Sequence, residues 1–233
     1  MLKKCIYVLF LFFITSCAEL QDVVNQLPQG GISNEEMASG LRQALNFGID
    51  KQVSLLTQKD GFYKNELVKI LLPDELKKVD KALRDIGLGN LADEGLKVLN
   101  RAAEDAVKEA TPIFVSAVKE ITFNDVKTIL LGNDDAATQY LTSRTQNELY
   151  DKFHPVIESS FQKVGADQIW ENLINKYNTI PFTTDVNPDL TDYVTGEALE
   201  GVYTMIAIEE KEIRTKLSSR TTDLLKRVFA LQD

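Results

Sequence analysis

Asn90 to Ile121 reads NLADEGLKVLNRAAEDAVKEATPIFVSAVKEI, and its spacing decides the fold class. Leu96, Leu99, Ala103, Ala106, Ala110, Ile113 and Ala117 recur at alternating intervals of three and four, so they fall on one face of an α-helix. The alanines on that face let a neighbouring helix approach closely. The outer face is expected to carry Arg101 with Asp105 and Glu104 with Lys108, opposite charges one turn apart. Pro112 lacks a backbone donor and its ring crowds the preceding turn, which predicts a kink or split near Ala110.

Working outward, the chain is punctuated as a series of helices. Ser33-Asn34-Glu35-Glu36 has the form of a capping box, predicting a helix to about Thr57. Asp60-Gly61 reads as a turn, and Leu67 to Leu72 is ambiguous between strand and helix. Pro73-Asp74-Glu75 opens a further helix that Gly87 or Gly89 ends. Thr122 with Asp125 caps a helix that stops at Gly132. Asn133 is expected to cap the next, which Pro155 breaks after about Phe153, with shorter helices to Tyr177. A loop from Asn178 to Pro188 leads into a long helix from about Leu190 to Leu217; Ser218 or Ser219 then caps a last helix over Thr221 to Leu231. Strand-like alternation is almost absent. The reading is all-α, a single multi-helix bundle-like domain over residues 33–233.

The N-terminus carries an address. Lys3 and Lys4 precede an apolar run, Ile6 to Ile14 (IYVLFLFFI), in the pattern of a cleaved secretory signal. Ile14-Thr15-Ser16-Cys17 resembles the bacterial lipobox. That resemblance implies a signal over 1–16, diacylglycerol on the Cys17 thiol and acylation of the new amine, a multi-chain anchor in a membrane. Residues 17–32 are then a lipidated tether, in which Pro28 and Gly30-Gly31 oppose continuous helix. Ala18, where an aspartate would favour the inner membrane by enteric sorting rules, favours the outer membrane of the cell envelope.

Composition excludes several chemistries. The formal net charge of −9 becomes −11 once Lys3 and Lys4 leave with the signal, which disfavours nucleic acid as a partner. Cys5 lies in the signal and Cys17 at the mature N-terminus, so no disulfide forms within the mature chain. The single histidine, His154, sits before Pro155 and reads as a boundary residue. With no second histidine and no free thiol, a His/Cys zinc site or a Cys-His nucleophile has no material. No phosphate-binding glycine motif appears, and no cofactor is implied. Asp185-Val-Asn187-Pro-Asp189 imitates the start of a calcium loop but meets Leu190 and Gly196 where glycine and glutamate belong, so it reads as a turn before an N-cap, and no metal is assigned.

Leu199, Val202, Ile206, Ile213 and Leu217 trace the apolar face of the long C-terminal helix, and the same spacing runs through Glu209 or Glu210. The expectation is Glu209 buried against a cation from elsewhere (Arg220, Arg101 or Arg144) and Glu210 on the solvated side with Arg214. Such a carboxylate either holds two helices in register or lines a ligand pocket.

Asp60-Gly61-Phe62 with Val68-Lys69-Ile70-x-Leu72-Pro73, Asn100-Arg101-Ala102-Ala103-Glu104, Asp135-Ala136-Ala137-Thr138-x-Tyr140, Ile208-Glu209-Glu210-x-x-Ile213-Arg214 and Arg220-Thr221-Thr222-x-Leu224-Leu225-Lys226 resemble a bacterial family known as domain of unknown function 4197, over about residues 35 to 231. The resemblance implies an exported bacterial protein and carries no activity. It raises Asn100, Arg101, Glu104, Glu209, Glu210, Arg214 and Arg220 as a group, a candidate binding site or buried polar network.

The leading functional reading is a lipid-anchored, non-catalytic binding or assembly module of the envelope, its protein or small-molecule partner open. A carboxylate-dependent enzyme acting on glycans, or a carrier with an apolar cavity between helices, are the alternatives. No catalytic residue is assigned. The anchor is directly testable: Cys17→Ser should abolish labelling by a clickable palmitate analogue and release the protein from membranes. Undiminished labelling of the variant would refute the lipobox reading.

Overall fold

The computed structural model describes residues 32–231, apart from 73–76, 78–80, 82–83, 86, 88, 167–170, 172–174, 176–177, 180–184 and 186–188. Its helices include α1 (Asn34–Leu56), α2 (Gly89–Ala106), α3 (Ala110–Lys119), α4 (Phe123–Leu130), α5 (Ala136–Gln162), α6 (Leu190–Thr215) and α7 (Asp223–Phe229). Among the described residues there is no strand, and the fold is all-α. No helix there is long and apolar enough to cross a membrane. The expected helix opening at Pro73, most of the segment from 167 to 177 and the loop to Pro188 lie outside the described residues.

Local sequence accounts for the helix starts that carry their own caps. The Ser33 hydroxyl accepts from the Glu36 amide and the Glu36 carboxylate from the Ser33 amide, at 3.1 Å each, closing the capping box. Thr122 and Asp125 do the same for α4. The alanine-rich face behaves as its spacing requires: Leu99, Ala103, Ala106, Ala110, Ile113 and Ala117 are all buried. A short 3-10 turn over Val107–Glu109 separates α2 from α3, where Pro112 demands a break.

Several elements differ from the sequence expectations. Glu104 does not sit on the outer face; it is buried and pairs with Arg101, while Asp105 takes Lys108. Pro155 does not end α5, which runs through it to Gln162. Leu149, Phe153, Ile157 and Phe161 are fully buried on one face, while Pro155 and Asp151, whose carbonyl loses its helical partner, are exposed. Burying Ile157 and Phe161 gives roughly 1.5–3 kcal/mol each, enough to offset the ~3 kcal/mol cost of an interior proline. His154 is therefore a helix-interior residue, its ring 5.6 Å from that of Tyr150. Leu67 to Leu72 forms neither strand nor helix but a turn followed by chain without regular secondary structure. The cap of α7 is Thr222, whose hydroxyl accepts from Leu225, and Ser218 and Ser219 belong to a separate 3-10 turn.

At the centre, α6 packs on α5 and α1, and α2 packs on α5. Glycines set two of the close approaches. A β-carbon on Gly40 of α1 would stand 2.6 Å from Val228 of α7, and one on Gly201 of α6 would stand 2.8 Å from the Phe62 ring. Gly196, on the same helix α6, is exposed with nothing within 4 Å. The two α6 glycines should therefore respond oppositely to alanine. Gly196→Ala should stabilise by roughly 0.5–1 kcal/mol through helix propensity. Gly201→Ala gains the same propensity but overpacks the core by about 1–3 kcal/mol, leaving a net loss. Urea denaturation of the two variants measures the difference, and equal stabilisation would contradict this packing.

Candidate functional site

The polar residues singled out by sequence separate into two networks. The first is built on α6, where Glu209 and Glu210 are both buried. Glu209 faces α1: its carboxylate accepts from Lys51 Nζ at 2.6 and 2.8 Å and from Gln52 Nε2 at 2.8 Å. Its cation is thus Lys51, not Arg220, Arg101 or Arg144. Gly48 leaves room for the carboxylate's stem, with a virtual β-carbon 3.3 Å from Glu209 Cγ.

Glu210 is not solvated, contrary to the helical-wheel expectation. It accepts from the amides of Ala137 and Thr138 and from the Thr138 hydroxyl, all at 2.8 Å. It also accepts from Arg214 Nε at 2.9 Å and Nη2 at 2.7 Å. Ala137 and Thr138 lie in the first turn of α5, whose amides have no helical partners. The local cap residue of α5 is Asp135 rather than the expected Asn133, and its side chain makes no capping bond. Glu210 supplies the cap from 73 residues away, with its negative charge at the positive end of the helix dipole. Arg214 does the complementary work, donating from Nη2 to the Ile129 carbonyl at 2.9 Å, at the C-terminus of α4. Arg220 closes α6 itself, with Nε on the Ile213 carbonyl at 3.0 Å and Nη2 on that of Arg214 at 2.9 Å.

This network leaves little space. A cavity of about 20 Å³ lies among Leu45, Gly48, Ile206, Glu210, Arg214 and Phe229. It has room for roughly one water, far below the ~150 Å³ that admits a benzene-sized guest. The first network is a structural joint.

The second network surrounds α2 and reaches the surface. Asn100, fully buried, accepts from the Ile70 amide at 2.9 Å and donates to the Ile70 carbonyl at 2.9 Å and the Leu96 carbonyl at 2.7 Å. It satisfies both backbone groups of a residue that lies outside any helix or strand. Glu104 accepts from the Phe62 amide at 3.2 Å and from Arg101 Nη1 at 2.5 Å. Arg101 Nη2 donates to Asp60 Oδ1 at 2.5 Å, and Lys64 Nζ lies 2.9 Å from Asp60 Oδ2. The Lys64 ammonium, with the Arg101 guanidinium, holds the Asp60 carboxyl below its ordinary range.

The turn that carries Asp60 is strained. Asp60 has φ 70°, left-handed backbone that few non-glycine residues adopt. A β-carbon on Gly61 would stand 2.5 Å from the Leu55 and Leu56 carbonyls, so only glycine lets the turn close against the end of α1.

Above this network opens a cleft of about 780 Å³, bounded by the turn after α1, one face of α2 and the end of α5. Asp60, Tyr63, Lys97 and Arg101 line it, with Lys59, Lys64, Glu94, Asp105 and Lys163 around them. Lys69 and Lys97 place ammoniums 4.8 and 5.9 Å from the Tyr63 ring centre. Of the residues expected from sequence, only Arg101 reaches this cleft; Asn100 and Glu104 support it from behind. Lys59, Tyr63, Lys97 and Lys163 were not anticipated. Lys97 could have been, because it shares a helical face with Arg101, but nothing local ties Lys163 to either. Among the described residues no group of three or more His, Cys, Asp or Glu is placed to hold a metal. Of the calcium-like stretch, residues 186–188 lie outside the described residues, and Asp189 is the N-cap of α6, accepting from Asp192.

Residues 31–230 match the family described as protein of unknown function (DUF4197). The chain belongs to that family. No curated protein and no solved structure matches it. Both networks fall within the DUF4197 region, so the family's sequence spans the joint and the cleft alike.

The two α6 carboxylates should not be equivalent. Glu210→Ala strands the buried Arg214 and uncaps α5, and should cost about 3–5 kcal/mol. Glu209→Ala leaves Lys51, whose side chain is 47% exposed, free to return to water. That loss should be about 1–2 kcal/mol. Urea denaturation gives the order, and a larger loss for Glu209→Ala would overturn this account of the joint.

Proposed function

We propose that the protein is a lipid-anchored, non-catalytic binding module of the cell envelope, held in the outer membrane through Cys17, and that it binds in the cleft over α2. The observation that carries the reading is the contrast between the two networks. In the α6 joint the buried Glu209, Glu210 and Arg214 are engaged in joining helices. The α2 network is buried on one side and open on the other, presenting Arg101 and Tyr63 at the base of a cleft large enough for a small molecule or a short chain segment. Rigid, buried support under a partly exposed charged group is the arrangement a binding site needs.

The carboxylate-enzyme alternative asks for a carboxyl raised to act as an acid, facing a second across the cleft. In the cleft the shift is in the other direction, because Lys64 and Arg101 hold Asp60 ionised. The carrier alternative asks for an apolar chamber, and the interior cavity at the joint is the size of a water.

The test is native mass spectrometry of the full chain purified from its own membranes. Asp105→Trp and Ser160→Trp place bulk in the cleft from α2 and α5, and Asp134→Trp serves as a control at the opposite network. Non-covalently bound material should be present in the wild type and the control and lost from the two cleft variants. Retention by all three variants would remove the cleft as the binding site, and turnover of envelope glycans by the wild type would establish the enzyme instead.

A further inference from the structure

The chain is acidic overall, with a net charge of −9, yet five of the charged groups lining the α2 cleft are cations and three are carboxylates. The inversion is sharper once ion pairs are set aside. Lys64 is engaged by Asp60 and Lys97 by Glu94, while Asp105 is engaged by Lys108. Lys59 and Lys163 are both exposed and have no carboxylate partner among the described residues. They come from two separate elements, the turn after α1 and the end of α5. Arg101, whose side chain is 34% exposed, lines the same cleft. A guanidinium has five N–H donors. Asp60 and Glu104 take one each, on Nη2 and Nη1, so donors remain.

Resting on the reading that this cleft is the binding site, we infer that its ligand is a compact, multiply charged anion bearing phosphate or carboxylate groups, held by Lys59, Lys163 and the free edge of Arg101. Glu104 from the buried side and Asp60 from the cleft wall fix the guanidinium in place without consuming all its donors, which is how an arginine is oriented for a ligand anion. The unpaired lysines supply the excess charge. Compactness follows from the field outside the cleft: beyond the rim the protein is net negative, so a long polyanion or an anionic membrane surface is repelled while a small anion entering the cleft is not.

Inorganic triphosphate is the probe, titrated into the full chain in detergent at fixed ionic strength set with chloride, and followed by calorimetry and by melting temperature. Saturable one-to-one binding that raises the melting temperature is the expected result. Lys59→Ala and Lys163→Ala should each weaken it by about tenfold, since each removes one charge-assisted contact. Lys211→Ala, an exposed lysine beside Asp134 on another face, should leave it unchanged. Equal binding by all four proteins would mean non-specific screening and would overturn the assignment. Binding to phosphatidylglycerol vesicles without any response to triphosphate would overturn the compact-anion class. Should triphosphate fail while Asp105→Trp and Ser160→Trp still strip native material from the protein, the cleft stands as the site and only the anion is wrong; if neither responds, the binding reading falls as well.

Discussion

Everything in this fold is arranged around the Glu210–Arg214 pair. Two opposite charges one helical turn apart, both buried, would be a poor source of stability if they met only each other, because desolvation costs several kcal/mol per ion. Here each has a second task. Glu210 accepts three hydrogen bonds from the first turn of α5, and Arg214 donates to the last turn of α4. The orphan amides of one helix and the orphan carbonyls of another are satisfied by a single helix passing between them. Because those groups occur only at helix ends, the pair fixes where α4 stops, where α5 starts and how far α6 has slid past both. A shift of α6 by one turn would leave a charge buried without partners. The register follows from that cost.

The same logic explains the oddities nearby. Asp135 need not cap α5, because a carboxylate from α6 already does. Arg220 turns back on the final carbonyls of α6 and ends it where the chain must reverse toward α7. Gly48 on α1 gives Glu209 its passage to Lys51 and Gln52. Charged groups thus set the alignment of helices whose apolar faces supply close contact but little directional information.

This divides what the sequence could tell. Helix existence was legible because its signals are local: the Ser33–Glu36 and Thr122–Asp125 boxes and the three-four spacing of the alanines lie within a few residues of what they control. Pro112 was legible for the same reason. Pro155 was misread because the residues that override it, Ile157 and Phe161, act through tertiary burial invisible in a window centred on the proline. Glu210 was misread because periodicity gives one apolar stripe per helix, whereas α6 has neighbours on more than one side. Buried neighbours on two faces make both adjacent glutamates interior. The cleft was the least legible feature. Arg101 stood out within its motif, but Lys59 and Lys163 are ordinary exposed lysines until the fold brings both to the lining of one cleft.

The cleft network differs from the joint in one respect that bears on its use. In the joint every charge is spent on helix termini or on a neighbouring side chain, and Glu209, Glu210 and Arg214 are buried. In the cleft the Asp60 backbone is held at φ 70°, and the Arg101 guanidinium is anchored by Glu104 from behind and by Asp60 at the cleft wall, while part of it faces solvent. Stability alone would favour relaxing that turn and letting the arginine hydrate freely. A strained backbone persists only where the surroundings over-determine it. Here the surroundings are Glu104 and the Gly61 contact with the end of α1, and what they fix is the direction of a positive charge. Fixing a charge in advance lowers the ordering cost when an opposite charge arrives, so on the proposed reading of the cleft the strain in the turn is the counterpart of affinity.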